Sequence, residues 1–178
     1  MFKITCFAPI DPSQLEGALR GIHFQKVKNG FEWKLDSTTF RIEPFQNQPR
    51  DSMKAYRIYF DGSIEGCCYL FDLSMGAFGG IITGIEYLLE DPSMKYEDWL
   101  KDLRKKSSYK MVDPRGLFSK DNCVVVVVQN TVTIQLRSKK NQKLKMVDCL
   151  KKVDLIREEL MPDKYDLFSL SNSEIEIA

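Results

Sequence analysis

The sequence has a single histidine, His23, and contains neither a Cys-x-x-Cys pair nor an Asn-x-Ser/Thr glycosylation site. Sites that need several histidines are excluded, and cysteine-only zinc sites lack their usual paired spacing. Long apolar runs are also missing. The longest uncharged stretch, residues 122–136, is shorter than the roughly 20 residues that a membrane-spanning helix needs. We therefore expect no metal, no cofactor and no membrane association.

The start of the sequence has no apolar segment typical of a secretory signal, and the number of cysteines, five, is odd. Disulfide frameworks occur in oxidising compartments and use paired cysteines. The sequence therefore predicts free thiols and a cytoplasmic location.

The composition is that of an ordinary globular protein, with 43% hydrophobic and 29% charged residues in 178 positions. No low-complexity linker or internal repeat divides the chain. We expect one domain over residues 1–178, with an acidic tail from about residue 162.

Alternating apolar and polar residues predict several strands with one buried and one solvated face. The clearest stretches are 31–36, 54–60 and 131–136, and the first strand is expected at residues 2–7. Asn29-Gly30 and Asp61-Gly62 are typical of left-handed hairpin turns, which makes residues 22–28 and 64–73 the partner strands. Five consecutive valines at residues 124–128 indicate a strand buried on both faces.

Four segments have the apolar spacing of a helix. Asp11-Pro12-Ser13-Gln14 has the residues of a helix start, with a capping aspartate, proline at the first position and glutamine at the third. A second helix is expected around residues 81–89 and a third after Asp91-Pro92. That helix should end in the basic residues Arg104, Lys105 and Lys106. The last is expected at residues 143–160, with six apolar residues on one face: Met146, Cys149, Leu150, Val153, Ile156 and Leu160. Because strands and helices are grouped, the fold class is α+β, with a mainly antiparallel sheet of about 6–8 strands and about four helices.

Two surfaces are candidates for binding. The solvated face of the first strands carries Arg41, Arg57 and Tyr59, and arginine and tyrosine are enriched in protein interfaces. The segment 137–152 is rich in lysine, including Lys139, Lys140 and Lys143, which could contact the phosphates of a nucleic acid. Neither pattern is specific, since an exposed sheet face or the outer face of a helix has the same composition.

Two patterns could support catalysis. The glycine-rich residues 76–84 are predicted to join a strand to a helix, where backbone amides can bind an anion. Acidic residues lie nearby, so an alternative site would combine Asp72, Gly76, Gly79, Gly80 and Glu86. A cysteine activated by His23 is a further possibility, because such partners need only meet in space.

The leading hypothesis is a non-catalytic protein-binding domain, such as an inhibitor, an immunity-type protein or an adaptor. It depends mainly on the lack of a catalytic motif, and we therefore expect the chain not to be an enzyme. The alternatives are an enzyme using residues 76–84 with nearby carboxylates, and a nucleic-acid-binding protein using residues 137–152.

Overall fold

The computed structural model describes residues 1–139 and 144–161, which form ten strands and four helices. The strands are β1 (Phe2–Ala8), β2 (Gln25–Val27), β3 (Gly30–Leu35), β4 (Thr38–Pro44), β5 (Lys54–Asp61), β6 (Ile81–Glu90), β7 (Lys110–Asp113), β8 (Leu117–Lys120), β9 (Cys123–Val128) and β10 (Thr131–Arg137). The helices are α1 (Pro12–Leu19), α2 (Ile64–Leu73), α3 (Tyr96–Lys105) and α4 (Met146–Leu160). The expected tail from about residue 162 lies outside the described residues.

All ten strands form one antiparallel sheet in the order β2-β3-β4-β5-β1-β6-β10-β9-β8-β7. The same unit occurs twice along the chain: one strand, one helix, four strands and one helix. The two units meet at the centre of the sheet, where β1 and β6 pair antiparallel. The topology therefore repeats with two-fold symmetry, although no repeat is visible in the amino-acid sequence.

The helices cover one face of the sheet. A row of paired residues crosses the five central strands from β4 to β10, and each of its members is at most 3% exposed: Ile42, Ile58, Ile4, Ile85 and Leu136. Helix α4 packs over β6 and β10, α3 over β9, and α2 against α4 and β4. Burying one such large apolar side chain stabilises the folded state by roughly 1.5–3 kcal/mol. The buried residues of both units form one continuous cluster, so a single core holds the two units together.

The next row along the sheet points the opposite way, because successive side chains of a strand alternate between faces. It consists of Arg41, Tyr59, Lys3, Glu86 and Gln135. We call this side the open face, since none of the four helices packs on it. Among the described helices, none is long and apolar enough to cross a bilayer.

Several predicted elements are confirmed. The first strand is β1, and α1 begins after Asp11, whose backbone N–H donates 3.1 Å to the Gln14 side chain. Helix α3 begins at Tyr96 and ends in basic residues, as expected after Asp91-Pro92. The six apolar residues expected on the last helix are its buried ones: Met146, Cys149, Leu150, Val153, Ile156 and Leu160.

The prediction was wrong for the segment between residues 61 and 90, where helix and strand are exchanged. Residues 64–73 form α2, because Ser63 caps a helix by accepting a hydrogen bond of 3.1 Å from the Gly66 N–H. Residues 81–90 form β6 at the centre of the sheet. This strand, together with β7 and β8, raises the number of strands to ten instead of the expected 6–8.

Two local predictions also need correction. Neither Asn29 nor Gly30 has a positive φ, so they form no left-handed turn. Glycine is needed at position 30 because a Cβ there would lie 1.9 Å from the Ile42 carbonyl oxygen. The valine run is buried on one face only: Val125 and Val127 enter the core, whereas Val128 is 58% exposed on the open face.

Candidate protein-binding face

The predicted residues Arg41 and Tyr59 are brought together on the open face. They are direct neighbours on β4 and β5, and the Arg41 guanidinium carbon lies 4.7 Å from the centre of the Tyr59 ring. Arg41 Nε is also 2.9 Å from Glu43 Oε1, although the contact is not aligned as a hydrogen bond. Stacking and ion pairing hold the arginine flat on the sheet.

The third predicted residue, Arg57, lies on the same face but has a different partner. Its guanidinium carbon lies 4.8 Å from the centre of the Phe45 ring, just beyond the end of β4. Among the described residues, none forms a hydrogen bond or an ion pair with the Arg57 side chain, and its Nε is buried. Arg57 and Phe45 line a cavity of about 440 Å³, together with Asn29, Glu43, Pro44, Gln46 and Asn47. We call this cavity the Arg57 pocket.

The other half of the open face carries a group of apolar side chains beside Glu86 and Gln135. A row of paired residues crosses β6, β10, β9 and β8, namely Leu88, Thr133, Val126 and Leu117. Leu88 is 50% exposed. We call Leu88, Leu117 and Val126, together with the flanking Val124 and Val128 of β9, the apolar strip. A fold of this kind needs apolar side chains only on the face that the helices cover, so the core does not account for the strip.

The two halves of the open face meet at a groove of about 330 Å³ beside the centre of the sheet. It is lined by Met1, Lys3, Tyr59, Glu86, Leu88 and Thr133. Lys3 Nζ and Glu86 Oε2 are 3.4 Å apart across the strands β1 and β6. Charges of both signs therefore neutralise each other along the face, and no row of like charge follows a strand.

The basic segment 137–152 is only partly described, since Lys140 and Lys143 lie outside the described residues. Lys139, Arg137, Lys145 and Lys152 line a cavity of about 540 Å³ between the sheet and the start of α4. Asp121 and Asp148 line the same cavity and offset part of the positive charge.

The glycine-rich segment has a structural explanation. It follows the carboxyl end of α2 and precedes a strand, so the predicted helix start that would attract an anion is absent there. Gly79 has a φ of 73°, which favours glycine, and a Cβ at Gly80 would lie 2.7 Å from the Met75 carbonyl oxygen. The Gly80 N–H donates 2.8 Å to that same oxygen. Gly79 therefore ends the 3₁₀ turn Gly76–Phe78 that follows α2, and Gly80 closes it tightly against Met75 before β6 begins.

The residues of the alternative catalytic site are not all brought together. Asp72 and Gly76 are adjacent in the helix layer, since the Asp72 carboxylate would contact a Cβ at Gly76. Glu86 lies on the open face instead, where it pairs with Lys3. The sheet therefore separates Glu86 from the glycine-rich segment. Within the described residues, no three metal-ligating side chains form a cluster.

A cysteine nucleophile is not supported by the surroundings of the thiols. Burial raises the pKa of Cys6 to about 12 and that of Cys123 to about 11, which keeps both protonated near neutral pH. Burial also raises the pKa of Cys67 and Cys68. His23 lies in a groove at the far end of the sheet with Phe24, Gln25, Trp33, Lys34 and Leu35, and none of the five cysteines lines it.

Sequence reasoning missed two parts of this face, the Phe45 platform and the apolar strip. Phe45 lies in a polar connection between two prolines, where no alternation indicates which way a side chain points. The spacing of residues 81–89 predicts a helix in which Leu88 and Leu89 share one apolar stripe, so it does not indicate that Leu88 lies on the open face. The signal that could have found the strip is the run of valines, whose alternate members must face away from a one-sided core.

The sequence matches no known protein-family model, and no curated protein shows significant sequence similarity to it.

Proposed function

We propose that this chain is a non-catalytic protein-binding domain that docks a protein partner on the open face of its sheet. Inhibitors, immunity-type proteins and adaptors work in this way, by covering or bridging another protein. The observation that carries the proposal is the open face itself. It combines the pairs Arg41–Tyr59 and Arg57–Phe45 with the apolar strip, and none of the four described helices packs on this face.

The size of the open face suits this role. The ten strands contain 62 residues. With a rise of about 3.3 Å per residue and a spacing of about 4.8 Å between strands, they give a face of roughly 1,000 Å². A stable protein interface typically buries about 800 Å² on each partner. The open face alone is therefore large enough to form one complete interface.

The chemistry of the face also favours a protein over a polyanion. Interface cores are enriched in tyrosine and arginine, and their fully buried centre is more apolar than the rest of a protein surface. Arg41 with Tyr59 has this composition, Leu88 of the apolar strip lines the same groove as Tyr59, and Lys3 is neutralised by Glu86. Free thiols in all five cysteines support a proposed location in the cytoplasm.

A quantitative capture experiment tests the proposal. The full chain is immobilised beside two variants, the double substitution Arg41→Ala/Tyr59→Ala on the open face and Leu155→Ala on α4, whose side chain is 60% exposed in the helix layer. Each partner recovered from nuclease-treated lysate of the source organism is purified and titrated against all three. We expect at least tenfold weaker binding to the double variant and unchanged binding to Leu155→Ala.

Two outcomes would overturn the proposal. One is a partner that binds the double variant as tightly as the unmodified chain. The other comes from a parallel capture with untreated lysate: binding that is found only there, is lost after nuclease treatment and weakens steeply with salt. That second result would favour the basic segment 137–152 as a nucleic-acid-binding site, for which the four basic side chains around the 540 Å³ cavity are the supporting observation.

A further inference from the structure

We infer that the Arg57 pocket binds a single carboxylate, supplied by an aspartate or glutamate side chain of the partner. The inference rests on the proposed function and makes it more specific, since it names the chemical group that this part of the open face recognises.

The first argument is the unused hydrogen-bonding capacity of Arg57. An arginine stacked flat on an aromatic ring keeps the N–H groups at its edge directed sideways, in the geometry that matches a carboxylate. The Arg57 guanidinium carbon lies over the Phe45 ring, 4.8 Å from its centre. The Arg57 side chain lines the pocket and has no hydrogen-bond or ion-pair partner among the described residues, so a ligand in the pocket can use donors that the protein leaves unpaired.

The obvious internal partner is already engaged. Glu43 lies directly opposite Arg57 in the β4–β5 pairing, where cross-strand charge pairs usually form. Its carboxylate instead lies 2.9 Å from Arg41 Nε. Arg57 is therefore left with a stacking contact alone, although an acidic residue stands beside it.

The second argument is that the pocket wall is held in place without a ligand. The Gln48 side-chain amide donates 3.0 Å to the Phe45 carbonyl oxygen and 2.9 Å to that of Ala55. The Gln48 side-chain oxygen accepts a hydrogen bond of 2.8 Å from the Ala55 N–H. Lys54 Nζ adds bonds of 3.1 Å and 3.2 Å to the carbonyl oxygens of Pro49 and Asp51. These bonds fasten the loop that carries Phe45 to β5, so binding requires little reordering.

The third argument concerns charge and selects the ligand. Arg41 and Arg57 supply two positive charges near the pocket, and Glu43 removes one of them. The remaining single charge suits a carboxylate better than a phosphate group, because Glu43 lines the pocket and repels a second negative charge. The side-chain amides of Asn29, Gln46 and Asn47 also line the pocket and can donate hydrogen bonds to the same anion.

A titration followed by NMR tests the inference on the full chain. The probes are N-acetyl-glutamate amide and its uncharged counterpart N-acetyl-glutamine amide, at equal ionic strength. The signal is the ¹⁵N–¹H resonance of Arg57 Nε, assigned by its loss in Arg57→Lys. Arg20, which pairs with Glu16 on the first helix, serves as the internal reference. We expect a saturable shift of the Arg57 resonance with the glutamate probe only, and no comparable shift at Arg20.

The variant Glu43→Gln gives a test with the opposite sign. Removing the carboxylate that repels the ligand should tighten binding of the glutamate probe several-fold and should allow inorganic phosphate to bind measurably. For Arg57→Gln, which lacks the Arg57 Nε signal, the readout is the backbone amide resonances of the pocket residues Phe45, Gln46 and Asn47. These amides should shift with the glutamate probe in the unmodified chain and not in Arg57→Gln, and an unchanged amide spectrum elsewhere would show that the variant folds. Equal shifts with both probes, parallel shifts of Arg57 and Arg20, or weaker binding to Glu43→Gln would overturn the inference.

The capture experiment separates failure of this inference from failure of the proposed function. If Arg57→Gln binds the partner as tightly as the unmodified chain while Arg41→Ala/Tyr59→Ala does not, the open face is the interface but the carboxylate site is wrong. If neither variant weakens binding, the proposed function itself falls.

Discussion

Replacing Leu88 and Leu89 by alanine, one at a time, tests the assignment on which the open face depends. The two residues are adjacent on β6, yet Leu89 is 3% exposed in the core and Leu88 is 50% exposed on the open face. If residues 81–89 formed the helix that their apolar spacing predicts, both leucines would lie on one buried stripe. The strand therefore predicts two very different losses of stability, whereas the helix predicts two similar ones.

The expected magnitudes differ enough to measure. Truncating a buried leucine to alanine typically lowers the free energy of unfolding by about 2–5 kcal/mol, because a cavity remains in the core. An exposed substitution usually changes it by less than about 0.5 kcal/mol. With a urea dependence of about 2 kcal/mol per molar, Leu89→Ala should shift the unfolding midpoint by roughly 1–2.5 M. Leu88→Ala should shift it by less than about 0.3 M.

Urea unfolding followed by circular dichroism measures both midpoints, and equal slopes would show that the variants unfold in the same manner. The slope matters because a changed slope would indicate a changed native or denatured state instead of a simple loss of packing. Comparable losses for the two variants would refute the strand assignment. The open face would then lose Leu88, and the apolar strip would no longer be continuous across the sheet.

Two further predictions concern titratable groups. The Lys120 side chain bonds to Glu159 and lowers the pKa of that carboxyl, so the pair stabilises the fold above the ordinary pKa of glutamate and loses this effect as the pH falls. Glu159→Gln should therefore be less stable than the unmodified chain at pH 7, and urea midpoints should converge below about pH 4.5; a constant difference would contradict this. Iodoacetamide should label the half-buried Cys68 first and spare Cys6, whose pKa burial raises to about 12, and mass spectrometry of timed samples would reveal any equally fast reaction at Cys6.

The parts of the fold that could be predicted are those in which local chemistry and tertiary packing agree. Asp11, Pro12 and Gln14 together have the residues of a capped helix start, and α4 has six apolar residues spaced for one continuous face over four turns. The hairpin of β9 and β10 combines β-branched residues with a two-residue connection. In each case a change of structure would expose several apolar side chains, so the sequence leaves little choice.

The exchange of helix and strand between residues 61 and 90 shows where such reasoning stops. The ten-residue segment Ile81–Glu90 has apolar residues at positions 81, 82, 85, 88 and 89. This spacing fits one face of a helix, and it also fits a central strand. The segment forms a strand because β1 and β10, which are distant from it in sequence, pair with its two edges. The capping residue Ser63 is a local signal for the start of α2. The preceding Asp61-Gly62 is typical of a hairpin turn and therefore favours a strand prediction for the same segment.

The same distinction applies to the candidate site. Arg41 and Tyr59 could be placed on one face by alternation alone, because both strands have an unambiguous period of two. Their contact required the β4–β5 register, which residue patterns do not give. The Arg57 pocket depends on a loop fastened by Gln48, and nothing in the spacing of residues 44–54 indicates those hydrogen bonds.

The repeated topology predicts the orientation in which the proposed partner binds the open face. On the covered face both units carry buried apolar side chains, and Ile4 and Ile85 are neighbours there at the centre of the sheet. On the open face they differ: the first unit presents Arg41 with Tyr59, and the second presents the valines of β9. A merely solvated face would be polar in both units. Because the two halves offer different chemistry on a symmetric framework, we expect a partner to bind in one orientation only, with its acidic groups over the first unit and its apolar surface over the second.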